Sequence, residues 1–72
     1  MHVVTQQQFE LHFDTATKRL THQWLTYTHQ PRPALLTAFR QAQSNLYLAQ
    51  VLGLEGNYAH ALATLNSCTH AR

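Results

Sequence analysis

The sequence predicts an all-α fold: a three-helix bundle or helical hairpin with a short third helix, over about residues 6–29, 33–53 and 57–69. Three observations predict it. Apolar residues recur at spacings of three and four instead of alternating. The two prolines, Pro31 and Pro33, fall together between two such runs, and the two glycines, Gly53 and Gly56, fall together at the end of the second. A chain of 72 residues is near the lower limit of what one hydrophobic core can stabilise. It is therefore read as one small helical domain, 1–72, and a multi-domain enzyme is excluded.

The first helix carries its start signals in the sequence. Thr5 suits an N-cap, Gln8 three residues on completes a capping box, and Val4 and Phe9 occupy the two positions of a hydrophobic staple. From there Phe9, Phe13, Ala16, Leu20, Trp24 and Tyr27 keep to one face, within about 80 degrees. Gln30-Pro31-Arg32-Pro33 ends the helix, because residues preceding proline are pushed out of helical backbone geometry.

Pro33 is suited to the first position of the second helix, where its missing amide donor costs little. Leu35, Phe39, Ala42, Leu46, Ala49 and Gly53 form one face, and the small residues at 42, 49 and 53 allow another helix to approach closely. Beyond Leu46 the pattern widens. Leu46, Tyr47, Leu48, Val51, Leu52 and Leu54 surround most of the helix, so neighbours are expected on two sides. Gly56 suits a left-handed C-terminal position and Asn57 the N-cap of the third helix. Tyr58, Ala61, Leu62, Leu65 and Cys68 then line one stripe. The expected core is Phe9, Phe13, Leu20, Trp24, Leu35, Phe39, Leu46, Leu62 and Leu65, with helices one and two antiparallel and helix three folded back beside the end of helix two.

Within residues 42–72, Leu48, Ala49, Leu52, Gly56-Asn57-Tyr58, Ala61, Leu65 and Cys68 fall where a tetratricopeptide repeat places its large and small packing residues. This half of the chain resembles one such repeat. It departs from the pattern at Asn45, which replaces an early aromatic, at Gly53, which replaces a larger residue, and in lacking the terminal proline. The resemblance implies protein or peptide binding, and a solitary repeat needs another helix or another chain to cover its faces.

The charged residues are few: Lys18, Arg19, Arg32, Arg40 and Arg72 against Glu10, Asp14 and Glu55, for a net charge of +2. Disorder is excluded, since disordered chains combine low hydrophobicity with high charge. A surface this poor in charge is also poorly protected from self-association. With Cys68 as the single cysteine, no intrachain disulfide forms, and no apolar stretch approaches the roughly 20 residues that span a bilayer. A soluble, cytoplasmic protein is expected, without membrane contact.

No residues are expected to be catalytic, and no cofactor or small-molecule substrate is indicated. There is no phosphate-binding glycine loop, serine elbow or paired-cysteine motif. Asp14 pairs with Lys18 at i+4 on a solvated face, next to Glu10. The histidines at 2, 12, 22, 29, 60 and 70 lack the i, i+3 or i, i+4 spacing of a helical metal pair, so no metal site is assigned. Cys68 is read as a packing residue.

What stands out instead is apolar surface in excess of what three helices cover. Leu11 and Leu25 project about 160 to 200 degrees away from Phe9, and Leu25 is flanked by His22 and His29. With Leu48, Val51, Leu52 and Leu54 they form the candidate protein interface. If His22 and His29 border it, acidification charges both and weakens it. The expected function is a non-enzymatic interaction module, a small adaptor, co-chaperone or regulatory subunit. Its partner is another protein or a second copy of itself in a homo-oligomer. The alternative is a small helix-turn-helix nucleic-acid-binding regulator, disfavoured because no helix presents several Lys or Arg on one face.

Overall fold

A computed structural model describes residues 3–67 as three helices: α1 spans Gln6–His29, α2 Pro33–Leu54 and α3 Tyr58–Ser67. There is no strand among the described residues. The fold is the all-α three-helix bundle that the periodicity predicts. The expectations for Cys68 and for the last turn of α3, to residue 69, lie outside the described residues, as do His2 and His70.

Helix α1 begins as its sequence specifies. Thr5 Oγ1 accepts from the Gln8 amide at 3.1 Å, and Gln8 Oε1 accepts from the Thr5 amide at 3.0 Å, so two otherwise orphaned donors are satisfied reciprocally. Val4 packs against the core that contains Phe9, as a staple requires. The threonines that follow are accommodated by their own helix. The hydroxyls of Thr15, Thr17, Thr21 and Thr26 each donate to the carbonyl one turn back, at 2.9 to 3.2 Å. Pro33 occupies the first turn of α2, and the Arg32 carbonyl accepts from the Leu35 and Leu36 amides.

Helix α2 runs to Leu54, one residue beyond the expected end at Gly53. Closure occurs at Gly56, which takes φ +83. The Asn57 amide donates to the Leu52 carbonyl at 2.9 Å and the Gly56 amide to the Gly53 carbonyl at 3.0 Å, the paired bonds of a Schellman ending. The Asn57 carbonyl then accepts the first bond of α3, from Ala61. Two tight backbone events therefore turn the chain back within three residues.

The buried core is small and sits at one end. It comprises Phe9 from α1, Ala49 from α2, and Ala61 and Leu65 from α3, with Phe13, Leu46, Leu52, Tyr58 and Leu62 packed around them. Ala49 and Ala61 have no exposed surface at all, and their small side chains allow neighbouring helices to come close. The antiparallel course of α1 and α2 follows from two contacts. Phe9 meets Gly53 at one end, and Trp24 stacks on Phe39 at the other, with ring centroids 5.0 Å apart. Gly53 is required by the first of these. A Cβ there would lie 2.5 Å from Phe9 Cε2 and 2.7 Å from Cζ, so the position cannot hold the larger residue that a tetratricopeptide repeat carries.

The expected core needs one correction. Trp24 is 43% exposed, and its ring contacts are with Tyr27 of α1 and Phe39 of α2. Leu20, Leu35 and Phe39, also at the Trp24 end, are half-buried.

Candidate interaction surface

The exposed apolar residues divide into two stripes and a recess. On α1, Leu11 and Leu25 are 69% and 56% exposed, and His22 and His29 are exposed beside them. All four lie on the side turned away from Phe9, but the two leucines are separated by about 21 Å of helical rise. Lys18 stands midway between them and pairs with Asp14 at 3.3 Å, both side chains largely in solvent. The pair matches the expected i, i+4 contact and contributes a few tenths of a kcal/mol, ~0.3.

On α2, Leu48 and Leu54 are exposed and Val51 is half-buried. Leu52 is placed differently. It is half-buried and packs against the core, on the side of α2 from which the Asn57 turn leads into α3. Sequence reasoning left Tyr47 out of the candidate surface, and it is 69% exposed. Its signal is nonetheless in the sequence: Tyr47, Val51 and Leu54 follow at i, i+4 and i+7 and share about 60 degrees of the helix circumference.

A recess of about 420 Å³ opens between α1 and α2 at the two-helix end, lined by Leu20, Thr21, Trp24, Phe39 and Gln43. A smaller one of about 150 Å³ lies at the other end, between Phe9, Phe13, Gly53, Leu54 and Tyr58. Of the residues lining these two recesses, Glu10 is the only carboxylate, and its oxygen accepts from Gln6 Nε2 at 2.9 Å. Neither recess assembles a nucleophile with a base, so neither offers the constellation that bond-making chemistry needs.

The remaining polar groups are dispersed. His12, His22, His29 and His60 are all exposed, and no group of three His, Cys, Asp or Glu among the described residues is placed to hold a metal ion. Lys18 and Arg19 project from α1 about 100 degrees apart. Arg32 lies in the turn, α2 adds Arg40 alone, and α3 carries no Lys or Arg. No helix of the described residues is long and apolar enough to cross a membrane.

No protein-family model matches this chain, and neither a curated protein nor a solved structure matches it. The likeness to a tetratricopeptide repeat therefore rests on the residues of α2 and α3 themselves.

Proposed function

We propose that this chain is a non-enzymatic protein–protein interaction module, a small adaptor, co-chaperone or regulatory subunit, that presents an apolar helical surface and associates with itself. One observation carries the reading. Val3, Leu11, Trp24, Leu25, Tyr47, Leu48 and Leu54 are exposed large apolar side chains, whereas the buried core consists of Phe9, Ala49, Ala61 and Leu65. A domain that leaves more large apolar residues outside than inside has surface suited to another helix. The low charge of that surface offers little repulsion to a second molecule.

Charge reversal of apolarity tests it. Tyr47→Glu places a carboxylate on a side chain that is 69% exposed, so the fold is expected to keep its helical circular dichroism. Association measured by sedimentation is expected to weaken at least tenfold. Leu25→Glu probes the α1 stripe in the same way. If both variants associate like the unmodified chain, the exposed apolar surface is not what the molecule uses.

A further inference from the structure

Helix α2 carries Arg40 and then no charged residue until Glu55, the residue that caps its end. Along this uncharged run the side turned away from Ala49 bears Tyr47, Val51 and Leu54, with Tyr47 and Leu54 69% and 82% exposed. Arg40 lies on the same side, about 180 degrees from Ala49. The stripe thus starts with a cation and ends beside an anion, and Tyr47 sits near its middle.

A surface charged oppositely at its two ends complements a copy of itself in one direction only. Parallel pairing sets Arg40 on Arg40 and Glu55 on Glu55. Antiparallel pairing about a two-fold axis at Tyr47 sets Arg40 of one copy beside Leu54 and Glu55 of the other, and Gln43 against Val51. The rest of the molecule agrees with this direction. Glu10 lines the same recess as Leu54 and so shares the acidic end with Glu55, whereas Arg32 precedes α2 at the end that holds Arg40. The α1 stripe is the poorer alternative, since its two leucines are a helical span apart with Lys18 between them.

We infer that a second copy of this chain covers the α2 stripe, in an antiparallel α2–α2 dimer centred on Tyr47 in which Arg40 of each copy faces Glu55 of the other. This rests on the self-association proposed above and adds the face, the direction and the charge pairing.

The test uses Arg40→Glu and Glu55→Arg in the full chain, with sedimentation at moderate salt and circular dichroism to confirm that each is folded. Both positions are exposed, so folding is expected to survive. Each variant alone meets like charge at both contacts of the dimer, and its dissociation constant is expected to rise at least tenfold. In an equimolar mixture every introduced charge faces its opposite at both contacts, so a heterodimer of near-original affinity is expected. Variants that dimerise alone as tightly as the unmodified chain would overturn this face while leaving self-association standing. So would a mixture that gains nothing over its components. An unmodified chain that stays monomeric at every concentration would overturn the self-association itself.

Discussion

The two ends of this molecule are built from the same helical pattern and differ in what covers them. Phe9 and Trp24 occupy the same face of α1, yet Phe9 is 7% exposed and Trp24 43%. Phe9 touches Phe13 and Tyr58, so it is enclosed by its own helix and by α3. Trp24 touches Tyr27 and Phe39, which belong to α1 and α2 alone. Among the described residues α3 spans Tyr58–Ser67, about 15 Å, against about 36 Å for α1. Near Trp24 the Gln23 Oε1 atom is enclosed without a hydrogen-bond partner among the described residues. Periodicity therefore sets which way a side chain points, and the neighbours that pack against it set how deeply it is buried.

That difference can be broken most forcefully at Phe9. Phe9→Ala is expected to destabilise the fold by about 3 kcal/mol, read as a lower urea midpoint, because the ring fills the small core and its loss leaves a cavity beside Gly53. A domain of this size has few kcal/mol to lose, so this variant is expected to be largely unfolded at 37 °C. Next in size is Gly53→Ala, at about 2 kcal/mol, since the added methyl must displace a Phe9 ring that is held by its neighbours. A Gly53→Ala variant as stable as the original would show that the ring moves freely and that the two helices are not locked there. Trp24→Ala is expected to cost about 1 to 1.5 kcal/mol, at most half the Phe9 effect despite the larger ring, because so much of its surface is already in water. Equal losses at Phe9 and Trp24 would remove the distinction between the ends. The smallest expected effect is that of acid. Lowering pH from 7.5 to 5.5 weakens association if the α1 stripe with His22 and His29 forms the interface, and leaves it unchanged if the α2 stripe does, since that stripe contains no histidine.

Much of this architecture is legible in the sequence where the signals are local. The capping box at Thr5, the stop at Pro31 and the left-handed residue at Gly56 each involve neighbours within a few positions, and α1 is found over the residues its pattern marks. What the sequence does not reveal depends on which neighbour arrives from elsewhere. Gly53 reads as a small residue that allows close approach, but the sequence does not reveal that the Phe9 ring is what fills the space beside it. Trp24 reads as core because its helix face is right, yet among the described residues it stays 43% exposed. Leu52 reads as outward because α2 is apolar nearly all round, and only the path of α3 distinguishes its side from that of Tyr47 and Leu54. Ala49 and Ala61, the most buried residues, are legible only as permission for close approach, since an alanine gives no hydrophobic signal of its own.

On the proposed reading, the apolar side chains that the described helices leave exposed on α2 are used between copies of the chain. Molar mass in solution, measured by light scattering over a hundredfold range of concentration, tests it most directly. The account predicts a mass that rises from one chain toward two as concentration increases. A mass that stays at that of one chain throughout would contradict it.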